Sequence, residues 1–317
     1  MRMIELVGRG TAAAALELRD RPPAPGFGEA LYDELVEGLG RVAAGIRRRC
    51  RVRLGRIVGT VCRWARTGDP DGSLLRRSLE PYPAEELIAR HSANVTVLSL
   101  TIARAMGLDE ASRVNVALAA AAHDLGMAAL PEDVVLKPSA FSEGERRVLE
   151  GHPSLGFRLL RNLGPKAEPA ARAAFEEHER EDGSGYPRRL RGDAICLEAK
   201  IIAVADTFEA MVHPWPVRPA VPPHQAGAAL AKDLRGRLAP RPVRALLREL
   251  TPFPPTTRVR LSDGRTGTVW EVRPAAPLRP VVRIREAGGT RNVDLLRHPS
   301  LRIAEVLPDP GPGQRPH

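Results

Sequence analysis

Apolar positions recur at helical spacing along most of the chain and then switch to short β-type runs after Pro252, Pro254 and Pro255. An Ala-rich start is closed near residue 26 by Pro22, Pro23, Pro25 and Gly26. Leu31, Leu35, Leu39 and Val42 then place helices within 28–66, and TGDPDGS at 67–73 reads as a loop. From Pro83 to about Leu250 the pattern predicts one helix after another. Ala84–Met106 carries Leu87, His91, Val95, Leu98 and Ile102 on one stripe and is stopped by Gly107. Ala111–His123 is almost wholly apolar, so it is expected to be a central buried helix. Glu143–Gly151 and Ser154–Asn162 flank His152-Pro153, and Glu168–Arg180 runs into the loop EDGSGYP. Leu197–Met211, Ala226–Leu238 and Pro242–Leu250 complete the helical set.

The β-type runs are Arg258–Leu261, Thr266–Val272, Val281–Arg285, Arg291–Leu295 and Leu301–Val306. Ser262-Asp263-Gly264 and Gly288-Gly289 supply hairpin turns, and five short strands suggest a small barrel. The expected fold class is therefore mainly α. Its parts are an N-terminal helical region of unknown role over 1–83, an all-helical domain over 84–251, a small β-barrel over 256–307 and a disordered tail over 308–317.

Composition narrows the class. Hydrophobic residues make up 43% of the chain and charged residues 27%, as in a soluble globular protein, whereas aromatics at 4% leave Ala, Leu and Val to fill the cores. The three cysteines, Cys50, Cys62 and Cys196, form no CxxC pair, which fits a reducing compartment. No run of about 18 uncharged apolar residues exists, and the N-terminus lacks an apolar signal core, so a cytoplasmic protein without membrane spans is expected. The net charge of +10 is carried almost wholly by arginines. Apart from Arg47, Arg48, Arg49, Arg51 and Arg53 they are scattered and lack interleaved aromatics. That argues against a nucleic-acid footprint and for a general attraction to anions.

The candidate chemistry begins at His123-Asp124, where a charge ends the apolar run LAAAAHD. Burying such a group is costly unless it binds something. A carboxylate has two oxygens and can bridge two metals, while a neighbouring imidazole fixes one of them. A capping Asp beside a hydrogen-bonded core His is the bland alternative. The surroundings favour ligation. His91 lies on an apolar helix face, His152 precedes a proline, His178 adjoins a glycine loop, and Asp206 ends the apolar run IIAVAD. Four histidines and two aspartates thus stand where successive helices turn polar, which is how helical bundles assemble metal sites.

The order His91, His123-Asp124, Asp206 resembles the HD superfamily of metal-dependent phosphohydrolases. His152-Pro153, His178-Glu179-Arg180 and Asp182-Gly183-Ser184-Gly185-Tyr186-Pro187 resemble its HD-GYP subfamily. Ala205-Asp206-Thr207-Phe208-Glu209-Ala210 is similar to the subfamily's ADxFDA block, with Glu for the second Asp. The likeness covers roughly 85–250, and Val259-Arg260-Leu261-Ser262-Asp263-Gly264 is similar to a tail domain seen in some HD-GYP proteins.

The resemblance implies a cyclic-dinucleotide phosphodiesterase, chiefly for cyclic di-GMP, with two divalent transition-metal ions, iron or manganese. By position, His91, His123, Asp124 and Asp206 would hold one ion. Asp124 would bridge to a second, held also by His152 and His178. His123 and Asp124 are the implied catalytic pair, acting through a metal-bridging hydroxide. Gly185, Tyr186, Pro187, Glu209 and Arg218 are the implied substrate contacts, although a glycine turn that merely ends a helix is the alternative reading of the loop. A homodimer or a signalling partner is compatible with such a protein.

The chain departs from the pattern in four places. The HDxGK block reads His123-Asp124-Leu125-Gly126-Met127, so a lysine near the phosphate is lost. The usual paired histidine is Glu177-His178, and Glu177 is itself a competent oxygen ligand or a solvent-facing residue. Val212–Arg218, with Trp215 in it, replaces small polar and basic residues. Leu87 stands where some members carry a Glu for a third metal, so two ions are expected. These changes keep open a second class: a catalytically degenerate protein that senses cyclic di-GMP or binds a signalling partner.

Overall fold

The computed structural model describes residues 27–307 apart from 70–72, 138, 215–218, 234–235, 251–252, 254–256, 274–275, 277 and 287–288. Residues 1–26, the tail 308–317, Trp215 and Arg218, for which the sequence carries expectations, lie outside the described residues. The chain divides into two compact units, one of residues up to 222 with 232–246, the other of 223–231 with 247 onward.

The first unit is helical. Its elements are α1 (Phe27–Arg47), α2 (Gly55–Thr67), α3 (Ser73–Arg77), α4 (Leu87–Ala105), α5 (Glu110–Ala122), α6 (Glu132–Val135), α7 (Glu143–Leu149), α8 (His152–Arg161), α9 (Glu168–Glu176) and α10 (Leu197–Val212). Then α11 (Pro223–Asp233) passes mainly to the second unit, and α12 (Pro240–Glu249) belongs mainly to the first. The helix predicted over Ala111–His123 is the centre of this unit. Every residue from Val116 to Ala122 is buried, and α2, α4, α9 and α10 pack around it. Alanines at 117, 119–122, 170, 171, 173 and 174 keep the facing surfaces small, so backbones approach closely.

Local signals set the ends of these helices. Asp109 caps α5 by accepting a 2.8 Å hydrogen bond from the Ser112 backbone N–H. Gly107, at φ +76°, ends α4, with the Leu108 N–H returning to the Ala103 carbonyl. A Ser142–Glu145 capping box starts α7. His152 and Pro153 do not separate two helices as expected but open α8, because a proline in the first turn gives up a donor that would be unpaired anyway. The helix predicted to reach Arg180 stops at Glu176, where the chain begins to turn into the glycine loop. α3 and α6, five and four residues long, are too short to show a period.

The second unit holds β1 (Arg258–Leu261), β2 (Thr266–Glu271), β3 (Val281–Glu286), β4 (Gly289–Asp294) and β5 (Ile303–Val306). They form one antiparallel sheet in the order β4-β3-β2-β1-β5. Alternation puts Val259, Leu261, Val269, Val282, Ile284 and Val293 into its core. The predicted barrel is corrected here: β4 and β5 are opposite edges and do not pair, so the sheet stays open. Alternation reveals strands and their buried face, but closure depends on stagger and tilt across the whole sheet, which no single strand encodes.

The alanine-rich packing makes the few large core side chains important. Leu98 on α4 is wholly buried. Leu98→Ala is expected to destabilise the helical unit by about 2–5 kcal/mol, read from the shift in urea unfolding. An unchanged midpoint would contradict its place in the core.

Candidate metal centre

Seven side chains from five helical segments converge inside the helical unit. α4 contributes His91. The 3-10 turn His123–Ala129, which continues α5, contributes His123 and Asp124. His152 is the first residue of α8, Glu177 and His178 follow α9, and Asp206 comes from α10. They fall into two groups, His91 with His123 and Asp206, and Asp124 with His152, Glu177 and His178. Within each group the candidate ligand atoms lie within 4.8 Å of one another.

Asp124 stands between the groups. Its Oδ2 is 3.4 Å from His91 Nε2 and 3.8 Å from His123 Nε2, while its Oδ1 is 3.3 Å from His152 Nε2. His91 Nε2 is also 3.2 Å from Asp206 Oδ1. On the other side His178 Nε2 lies 2.9 Å from Glu177 Oε1 and 3.0 Å from His152 Nε2.

Three imidazoles are held from behind. Nδ1 of His123 donates to the Ala120 carbonyl at 2.7 Å, and Nδ1 of His152 to the Leu149 carbonyl at 2.6 Å. Nδ1 of His91 donates to Glu209 Oε2 at 2.5 Å. With Nδ1 so engaged, Nε2 of each neutral ring carries its lone pair into the site.

The site fits cations in its present form. His123 Nε2 and both oxygens of Glu177 are buried without a hydrogen bond, although Glu177 Oε1 faces His178. Two Nε2 atoms confront each other at 3.0 Å across His152 and His178, so at most one of them can carry a proton and the other turns a lone pair into the site. A divalent ion satisfies lone pairs of this kind. In its absence the acids and imidazoles charge one another. Burial opposes the charged form of His91, but Glu209, Asp206 and Asp124 outweigh it and hold its pKa well above the ordinary value. Burial likewise opposes ionisation of Glu177, yet His178, His152 and His123 hold it well below the usual carboxylate range. Burial disfavours charged His152, and Glu177 with Asp124 still raise it to about 8.

The cluster opens into a cavity of about 340 Å³. His91, Asp124, His152, His178 and Asp206 line it together with Met127, Val135, Phe141, Leu149, Tyr186 and Ala210. Close backbone approach shapes this wall at two glycines. A Cβ on Gly126 would meet the His152 carbonyl oxygen at 2.2 Å, and one on Gly185 would meet the His178 carbonyl oxygen at 2.3 Å. Tyr186 stacks on His178 with ring centroids 4.5 Å apart. Burial, followed by the charges of Glu177 and Asp124, pushes its phenol pKa well up, so the hydroxyl stays neutral.

The expected substrate contacts divide. Tyr186 lines the cavity. Gly185 and Pro187 line a neighbouring polar pocket of about 370 Å³ instead. Glu209 needs correction. It is 1% exposed and lies behind His91 rather than facing the cavity, because it sits one helical turn past Asp206 and points toward α4. Its Oε1 accepts from Asn94 Nδ2 at 3.0 Å, Tyr82 Oη at 3.1 Å and His213 Nδ1 at 2.9 Å.

Sequence reasoning missed Asn94, Tyr82 and His213, and also two buried carboxylates that hold the glycine loop. Glu179 accepts the backbone N–H groups of Arg188 and Leu190 at 2.7 and 2.8 Å. Glu176 accepts the Cys196 N–H at 2.8 Å and pairs with Arg172 and Arg188. The one legible signal was Asn94, an amide three residues past His91 on the same helix.

Residues 82–240 match the HD domain family, and residues 258–309 match the KOW domain associated with HD domain. The chain is 43% identical over 149 residues to the cyclic di-GMP phosphodiesterase response regulator RpfG of Xanthomonas campestris, covering 46% of this chain and 39% of that protein. It is 37% identical over 161 residues to a cyclic di-GMP phosphodiesterase of Thermotoga maritima, covering 50% and 44%. It is 34% identical over 166 residues to the 3'3'-cGAMP-specific phosphodiesterase 3 of Vibrio cholerae, covering 52% and 36%. The chain thus spans about two fifths of the length of these relatives. In fold it is similar to Bd1817, described as an HDG"Y"P protein, from Bdellovibrio bacteriovorus, with a TM-score of 0.57 at 15% identity, covering 74% of this chain and 75% of that one. Among the described residues no helix is long and apolar enough to cross a membrane. Since the matched segment 82–240 takes in half of the chain and contains all seven clustered side chains, the chain belongs to the HD domain family.

Proposed function

We propose that this chain is a metal-dependent phosphodiesterase acting on a cyclic dinucleotide, with cyclic di-GMP the first substrate to test. The observation that carries the reading is the placement of Asp124, each oxygen facing a separate imidazole-bearing group. On this reading His91, His123, Asp124 and Asp206 hold one divalent ion, and Asp124, His152, Glu177 and His178 hold the other. Imidazole and carboxylate donors without thiolate suit iron or manganese. Two such ions polarise a phosphodiester and lower the pKa of water.

The protein's own contribution is positional. Backbone carbonyls and Glu209 fix the histidine tautomers from behind, and buried helices keep seven ligands preorganised. The apolar wall of Val135, Phe141 and Leu149 limits water, and Tyr186, steadied on His178, offers an aromatic ring to a nucleobase. Turnover of cyclic di-GMP, and of other cyclic dinucleotides in parallel, by protein loaded with manganese or ferrous iron tests the reading. Absence of turnover from a metal-loaded protein that binds the nucleotide would favour the sensor reading. That second reading is supported by Met127, which places a thioether in the cavity wall where the HD-GYP pattern has lysine.

Two expected outcomes follow from the ligand geometry. Asp124→Ala removes a donor from both groups, so elemental analysis should show metal content reduced at both sites; unchanged content would refute the shared carboxylate. Met127→Lys should raise single-turnover hydrolysis by roughly tenfold to a hundredfold, the scale of one electrostatic donor, while metal content stays the same. A mutant no faster than a slow wild type would show that Met127 does not limit the rate.

A further inference from the structure

α1 lies outside the segment matched to the HD domain, yet one of its side chains is tied to the centre. Tyr32 is 1% exposed. Its hydroxyl lies 2.6 Å from Asn94 Oδ1, Asn94 Nδ2 lies 3.0 Å from Glu209 Oε1, and Glu209 Oε2 lies 2.5 Å from His91 Nδ1. His91 Nε2 then faces Asp206 and Asp124.

Hydrogen-bonding capacity sets one direction along this series. Carboxylate oxygens accept, and Glu209 turns Oε1 to the Asn94 amide nitrogen, which can only donate, and Oε2 to His91 Nδ1. His91 Nδ1 and Asn94 Nδ2 must therefore both donate to it. An amide turned so that Nδ2 meets Glu209 presents Oδ1 to Tyr32, whose hydroxyl donates. The phenol thereby fixes the amide, the amide helps fix the carboxylate, and the carboxylate fixes which nitrogen of His91 faces Asp206 and Asp124.

We propose that Tyr32 is a positioning residue for His91, so that the seating of α1 against α4 is read at the metal centre. This inference rests on the metal-centre reading above. Nothing in the HD motif set requires such a link. A buried tyrosine needs some partner for its hydroxyl, and a merely structural role would be met by any acceptor. The alternative is thus packing alone, which affects stability but not one particular metal site. Tyr82 and His213 also hold Glu209 Oε1, so the carboxylate keeps partial support when Tyr32 is altered. Removing a direct outer partner of a metal-bound histidine costs on the order of 10–100-fold in affinity, and a partner two steps further out should cost less, roughly 3–10-fold.

The test is manganese titration of the metal-free full chain, with free manganous ion read by electron paramagnetic resonance. Tyr32→Phe should weaken one of two sites by roughly 3–10-fold and leave the other unchanged, a fraction of the effect expected at a direct partner. Glu209→Gln should weaken the same site more, and Tyr32→Phe should add nothing in that background, since the two act along one path. Should Tyr32→Phe fail to fold, Asn94→Leu breaks the same path at a similar volume and should give the same single-site loss. A wild type that binds two ions, with Tyr32→Phe binding both equally well or losing both alike, overturns the role of Tyr32 alone. Additive losses in the double variant overturn it as well. A wild type that binds no manganese overturns the metal-centre reading itself, and this inference with it.

Discussion

The structure depends on one carboxylate, Asp124, held at the end of an apolar helix and facing imidazoles on two sides. An ionised group in such a place is stable only if its charge is matched and its lone pairs are met. The surrounding fold serves that demand. Three acids and four histidines gather within a few ångströms. His123 and His152 are backed by the carbonyls of Ala120 and Leu149 near helix ends, and His91 by Glu209. These rear contacts engage Nδ1 of three rings outside the site and turn Nε2 of His91, His123 and His152 into it. Buried acceptors without a donor, His123 Nε2 and the Glu177 oxygens among them, suit a cation.

Convergence of five segments requires close backbones, and the alanine-rich composition supplies them. α5 carries no side chain larger than leucine along its buried stretch, which lets α4, α9 and α10 bring His91, Glu177 and Asp206 toward its C-terminal end. The same economy appears at Gly126 and Gly185, where any side chain would displace the backbone of His152 or His178, both ligand candidates. Composition that looks unspecific in the sequence is thus part of the site's geometry.

Most of the helical fold was legible, because long amphipathic runs with glycine stops and polar caps announce themselves, as in α4 and α5. The clustered residues were legible for a related reason: His91, His123-Asp124 and Asp206 interrupt apolar runs, and such interruptions have to be explained. What spacing does not carry is direction in three dimensions. Glu209 lies one turn from Asp206 and was expected at the substrate, yet it faces α4 and the rear of His91. Glu177, next to His178, was left between ligand and solvent; its complete burial removes the solvent alternative. Sheet closure failed for the same reason, since the pairing of β1 with β5 and the separation of β4 from β5 arise from register across all five strands. Glu176 and Glu179 stood in plain view as two more acids, and nothing local shows that they are anchors for the glycine loop.

The two departures from the HD-GYP pattern inside the site act in one direction. Met127 in place of lysine removes a positive charge, and Glu177 in place of a neutral histidine adds a negative one. The wall around the cavity is thus two charges more negative than the pattern, one from each change. Glu177 is fully buried between His152 and His178, so its charge is felt by the ion rather than screened by water. Cations are held more firmly by such a set. On the proposed reading a phosphodiester, itself an anion, would gain correspondingly less from the protein and depend more on the ions for its attraction. Ions and not side chains would then supply nearly all the positive charge that meets a substrate, which makes the support of His91, His123 and His152 from behind the decisive structural feature.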